Sequence, residues 1–127
     1  MECRAQELAN VILVHVTGRI DHTTANAFEN ALLPLLDGCS GEDKKALLNL
    51  NGVVYMSSAG LRVLILAAKQ CQRQNSDIVI AELQPLLQEV FRIARLDAVF
   101  QVFKTVREAL EAISPAAALA YDRLSGN

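Results

Sequence analysis

The chain has 127 residues, enough for one domain whose core needs no disulfide or metal to hold it. A hydrophobic share of 52% excludes a disordered chain, and a net charge of −2 with no basic run interleaved with aromatics excludes a nucleic-acid binder. Cys3, Cys39 and Cys71 are odd in number and far apart, so they read as reduced thiols, and no CxxC or His/Cys cluster marks a zinc site.

Residues 11–16, Val-Ile-Leu-Val-His-Val, are β-rich and almost continuously apolar, the pattern of a buried strand. Residues 2–6 pair with it as an edge strand across a turn near Ala9 and Asn10. His15, inside this apolar run, reads as a hydrogen-bonded core or sheet-face histidine. Gly18 ends the strand region, and Asp21 or Thr23 stands ready to cap a helix bearing Ala25, Phe28, Ala31, Leu32 and Leu35 at helical spacing. Pro34 loosens the last turn of that helix and Gly38 stops it. After a polar loop at 39–43, a second core strand is centred on 46–50 and leads through a short loop to Ser57 and Ser58.

A helix to about Gln74 follows, with Leu61, Leu64, Ile65, Ala68 and Cys71 on one face and Arg62, Lys69 and Arg73 on others. Residues 77–81 predict a buried strand, and Pro85 opens a helix with a stripe of Leu86, Val90, Phe91, Ile93 and Ala94. Residues 99–103 predict a short strand. Thr105 to Glu108 fit a capping box ahead of Val106, Ala109, Leu110 and Ile113. Ser114-Pro115 ends that helix or caps another running to about Leu119, and residues 122–127 read as a tail. The alternation of strands and helices predicts an α/β fold with a largely parallel or mixed sheet.

The chemistry concentrates where the strand pattern gives way to the helix. A hydroxyl there faces unpaired backbone N–H groups and the positive end of the helix dipole, so it suits a cap and equally suits a phosphate. A serine hydrolase is excluded because Met56 stands where the first glycine of a Gly-x-Ser-x-Gly elbow belongs, and because Asp21 and His22, adjacent in sequence, are ill placed as orienter and base. No GxxxxGK[ST] frame offers a nucleotide site. There is no basic-then-apolar leader, and the longest apolar run, 63–68, is far too short to span a bilayer, so a cytoplasmic chain not fused to a membrane domain is expected.

Three segments, Gly18-Arg19-Ile20-Asp21-His22-Thr23-Thr24-Ala25, Ser57-Ser58-Ala59-Gly60-Leu61-Arg62 and Ile93-Ala94-Arg95-Leu96-Asp97-Ala98-Val99-Phe100, together resemble the STAS domain family, the sulfate-transporter C-terminal domains and bacterial anti-sigma factor antagonists. The resemblance covers roughly residues 11–113. It implies one STAS-like α/β domain over residues 1–121, a small mixed sheet flanked by about four to five helices. It also implies a non-enzymatic, cofactor-free protein that binds an anti-sigma factor carrying a serine kinase domain, with a serine phosphatase as a further partner. Alignment on Gly60-Leu61 puts the phosphoacceptor at Ser58, with Ser57 as the alternative, and partner contacts at Asp21, His22, Thr23, Ser57, Ser58, Ala59, Gly60 and Arg62. Asp21 then contacts the partner, orients the hydroxyl or caps its own helix. Ser57 replaces the family's Asp, Ala59 follows the acceptor, and Arg62 replaces a common Gly. These departures leave open a non-switching STAS module, a signalling scaffold or a cytoplasmic subunit of a lipid or anion transport system.

Overall fold

Two adjacent strands open the fold. In the computed structural model, which describes residues 1–125, β1 (Glu2–Leu8) pairs antiparallel with β2 (Val11–Ile20), Leu8 opposite Val11 across the turn at Ala9 and Asn10. The chain continues through α1 (Ala25–Leu35), β3 (Lys45–Met56), α2 (Ser58–Arg73), β4 (Asp77–Ala81), α3 (Pro85–Ile93), β5 (Val102–Phe103), α4 (Val106–Ile113) and α5 (Pro115–Leu124). The sheet order is β1-β2-β3-β4-β5, and every pairing after the first is parallel. This is an α/β fold with a mixed sheet, as the alternation predicts, and the five α-helices among the described residues fall within the four to five that the resemblance implies.

Side chains alternate between the two sheet faces, and each face has its own helices. Val14, Ala46, Leu48, Leu50 and Ile80 pack with Phe28 and Leu32 of α1, Val63, Leu64, Ala67 and Cys71 of α2, and Leu87 and Phe91 of α3. On the opposite face Leu13, Leu47, Val79 and Ala81 meet Val106, Ala109 and Leu110 of α4 and Ala117 and Ala118 of α5. Each fully buried Leu or Phe in these clusters contributes about 1.5–3 kcal/mol from loss of apolar surface to water.

Several elements differ from the pattern reading. β3 does not end near Leu50; it runs to Met56 and leaves only Ser57 between strand and helix. Its buried residues Leu50, Val53 and Met56 recur every third position, because two register shifts against β2 each put one extra residue on β3. The deepest residues of α2 are Gly60, Val63, Leu64, Ala67 and Cys71, while Leu61, Ile65 and Ala68 are half-buried. In α3 the buried pair is Leu87 and Phe91, whereas Leu86 and Ile93 are 62% and 70% exposed. The predicted strand at 99–103 shrinks to Val102–Phe103, because a 3-10 turn at Leu96–Ala98 and buried Phe100 precede it.

Near the C-terminus, Thr105 Oγ1 accepts the Glu108 N–H at 3.0 Å. The Val106 N–H is taken by Glu82 Oε2 at 2.8 Å. Ser114 caps α5 through the Ala117 N–H, and α5 continues past Leu119 to Leu124. Residues 122–124 of the predicted tail are therefore helical, while Gly126 and Asn127 lie outside the described residues. Among the described residues no helix is long and apolar enough to cross a membrane.

Candidate functional site

The site is built where β2 and β3 end side by side. Ile20 and Met56 are register partners, and the Ser57 N–H donates to the Ile20 carbonyl at 2.8 Å, closing the ladder. Asp21 follows directly on β2 and Ser57 directly on β3, so the two residues leave the sheet at the same end of the ladder. Ser57 is the N-cap of α2: its backbone is extended (φ −81°, ψ 174°) and its hydroxyl accepts the Gly60 N–H at 3.4 Å. Ser58 is the first residue of the helix and is exposed. The capping duty that a lone serine would have carried thus falls to Ser57, which is half-buried, and Ser58 is left facing solvent.

Gly60 explains how the helix starts so close to the strands. A Cβ there would lie 2.6 Å from Met56 Cγ and 2.8 Å from Ile20 Cγ2, closer than carbon atoms tolerate. The absence of a side chain lets the first turn of α2 settle onto the ends of both strands and fixes the depth of Ser57 and Ser58.

Asp21 is held in one orientation. Its Oδ1 accepts the Thr23 hydroxyl at 2.6 Å and the Thr23 N–H at 2.9 Å, and its Oδ2 lies 3.4 Å from Arg19 Nε. These bonds, the Thr23 hydroxyl first, hold its carboxyl down at about 2. The carboxylate is consumed in this turn, so it does not cap α1. The N-cap position there is Thr24, which makes no side-chain cap; its hydroxyl accepts the Asp21 N–H at 2.9 Å and donates to the Arg19 carbonyl at 3.0 Å. Arg19 also stacks its guanidinium 4.1 Å from the centre of the Tyr55 ring. A chain of contacts therefore links Tyr55, Arg19, Asp21 and Thr23 along the rim that ends at Ser57.

A family model for the STAS domain matches residues 2–109. The chain belongs to the STAS domain family. It is 32% identical over 112 residues to BtrV of Bordetella bronchiseptica, named as a candidate anti-sigma factor antagonist, an alignment spanning 88% of this chain and 93% of that one. Among solved structures, a candidate anti-sigma factor antagonist from Thermotoga maritima superimposes with a TM-score of 0.78 at 17% identity, over 87% of this chain and 93% of that one. The Bacillus cell fate determinant SpoIIAA, an anti-sigma factor antagonist, superimposes in its unphosphorylated form with a TM-score of 0.70 at 12% identity, over 88% and 96% of the two chains. Its phosphorylated form gives 0.64 at 13% identity, over 88% and 99%.

Within this STAS domain the residues singled out from sequence are placed as follows by the fold. Asp21, Thr23, Ser57, Ser58 and Gly60 converge on the paired strand ends. Ala59 is half-buried between Ser58 and Gly60. Arg62 is exposed one helical turn beyond Ser58, the i, i+4 spacing that puts both on one side of α2. His22 is exposed and makes no hydrogen bond to Ser58 among the described residues. His15 lies away from this rim on the sheet, where the Asn49 side-chain amide donates to Nδ1 at 3.0 Å and Nε2 lies 3.3 Å from Gln6 Oε1. Burial first, then nearby Arg4, lowers its pKa and favours the neutral ring.

Arg19, Thr24 and Tyr55 were not singled out by sequence reasoning. An aromatic two residues before the Ser pair and an arginine two before the aspartate were the available signals, and only the strand register shows that they face each other. Cys3, Cys39 and Cys71 are free thiols, and burial pushes those of Cys3 and Cys71 up to about 11 and about 12. Such thiols are poor nucleophiles at neutral pH. Among the described residues no three His, Cys, Asp or Glu side chains gather as a metal site.

Proposed function

We propose that this STAS domain is a cytoplasmic anti-sigma factor antagonist whose partner is an anti-sigma factor carrying a serine kinase domain, and that phosphorylation of Ser58 ends the association. The observation that carries the reading is the division of labour between the two serines: Ser57 is occupied as the cap of α2 while Ser58 is exposed at its first position. The names of the relatives support the class of partner, and the two forms of SpoIIAA support a fold that accommodates phosphorylation in that protein.

The kinase supplies ATP and Mg²⁺ and transfers the γ-phosphoryl group to the Ser58 oxygen, releasing ADP and the hydroxyl proton. This chain acts as substrate and ligand, and needs no cofactor. The product carries nearly two negative charges. Within the domain these sit at the positive end of the α2 dipole, with Arg62 one turn away, so the fold tolerates them. A partner packed on the same rim would have to desolvate the dianion, which repels it. Asp21, ionised and fixed by Thr23 and Arg19, adds a rigid acceptor for a donor on the partner. A serine phosphatase restores the binding form.

Calorimetric titration against the purified cognate anti-sigma factor tests the reading. Ser58→Ala should bind like the wild type and Ser58→Asp more weakly, by about tenfold, since one unpaired charge at a packed interface costs a kcal/mol or more. Equal affinity of Ser58→Asp and wild type would favour the non-switching alternative, a STAS module serving as scaffold or transport-system subunit.

A further inference from the structure

Beside the Ser58 rim the sheet is incomplete. β4 pairs with β3 only from Lys45 opposite Asp77 to Asn49 opposite Ala81, and then turns away at Glu82, a residue in the left-handed region with φ 64°. β3 continues alone on that side to Met56, flanked on its other side by β2. Along that unpaired stretch, residues of β3 and of α3 face one another across a gap. The gap is a cleft of about 70 Å³ lined by Val53, Val54, Tyr55, Met56, Leu86 and Val90 among others, almost wholly apolar at its surface.

Two wall residues are unusually exposed for their type. Val54 is 58% and Leu86 62% accessible. Val54 is also the extra residue of the second register shift, between Gly18 opposite Val53 and Arg19 opposite Tyr55. Such a bulge re-aims a side chain, and here the residue it displaces stands at the cleft. Tyr55 is steadied by the guanidinium of Arg19 on its ring.

We propose that this cleft receives an aliphatic side chain of the same anti-sigma factor that covers Ser58, and so supplies the apolar anchor of that interface. Two observations, and one general property of interfaces, select this occupant. The cleft is far smaller than the roughly 300 Å³ or more that an ordinary small-molecule site needs, but it suits one aliphatic side chain. Its walls Tyr55 and Met56 are the two residues directly before Ser57 and Ser58, so the cleft and the acceptor serine share one continuous rim. Interfaces also place a small apolar anchor beside polar contacts at the rim, where charge is costly once water is excluded. The inference rests on the proposed partner and adds to it the place where the affinity resides: the cleft binds, and Ser58 next to it vetoes.

The test measures affinity for the purified cognate anti-sigma factor by calorimetry, with Leu86→Ser, Val54→Ser and, as a control, Leu119→Ser. All three positions are exposed, and Leu119 lies on α5, outside the cleft. Unchanged thermal melts confirm that each variant is folded. Leu86→Ser and Val54→Ser should each weaken binding about tenfold or more, as truncation of an interface anchor does, while Leu119→Ser stays within about twofold. Wild-type affinity in both cleft variants, with Ser58→Asp still impaired, overturns the cleft and leaves the phosphorylation switch standing. No binding by wild type overturns the switch and the cleft together. Sedimentation of the protein alone separates the remaining occupant: a wild-type dimer lost in Leu86→Ser, with partner affinity intact, assigns the cleft to a second copy of the chain and also overturns the proposal.

Discussion

The two halves of β3 contrast sharply. From Lys45 to Asn49 the strand has a neighbour on each side, an unbroken parallel register with both, and buried Ala46, Leu47 and Leu48. From Asn51 to Met56 it has lost β4, carries register shifts against β2, and exposes Val54 and Tyr55. The first half holds the domain together. The second delivers Ser57 and Ser58 to the surface at a fixed height. One strand thus serves stability where its pairing is regular and recognition where its pairing breaks, and the sheet beneath provides the rigidity that a mobile loop would lack.

Substitutions in the two halves should separate these roles. The largest effect on stability is expected from Leu48→Ala in the regular half. Leu48 is fully buried between Val14 and Ile80, and truncation should cost about 2–5 kcal/mol in urea denaturation. Partner affinity per folded molecule should not change. Gly60→Ala should cost less, about 1–3 kcal/mol, because its new methyl group must displace Met56 and the β-branched Ile20. It should nonetheless weaken partner binding, since the first turn of α2 has to lift away from the strand ends. If Gly60→Ala binds like wild type while Leu48→Ala impairs binding, the division between the halves fails.

The smallest effect concerns pH. Asp21 titrates at about 2 when folded against an ordinary value of 3.8, so its ionised form favours the folded state. That contribution is complete above the unfolded value and disappears as pH falls through the folded one. The difference in melting temperature between wild type and Asp21→Asn should therefore be constant above about pH 5 and shrink between about pH 4 and pH 2. An NMR titration that places the Asp21 carboxyl near its ordinary value would remove the Thr23 and Arg19 contacts from the account.

The regular half of the molecule was readable from sequence because its physics is periodic. The apolar run 11–16, the strand 77–81 and the helix after Ser58 each announce themselves by spacing, and all are present. The end of β3 was not readable in that way. Its bulges put buried residues at 50, 53 and 56, a spacing that matches neither a strand nor a long helix, and so it resembled a loop. In α3, Leu86 and Ile93 looked like core because apolar residues at helical spacing usually are, whereas Leu87 and Phe91 take that place and leave Leu86 at the cleft. The site itself was legible through its motif: Ser57, Ser58 and Gly60 stand where the resemblance places them at the start of the helix. The exchange of capping and exposure between the two serines depends on a backbone torsion and a hydrogen bond, which no residue pattern encodes.

The central claim is that Ser58 accepts the phosphate while Ser57 serves the helix. Mass spectrometry of the protein after incubation with its cognate kinase and ATP, with fragment ions that separate the two serines, tests it most directly. The account predicts modification at Ser58 that persists in Ser57→Ala and is lost in Ser58→Ala. Modification chiefly at Ser57, or none with a kinase shown to be active, would contradict it.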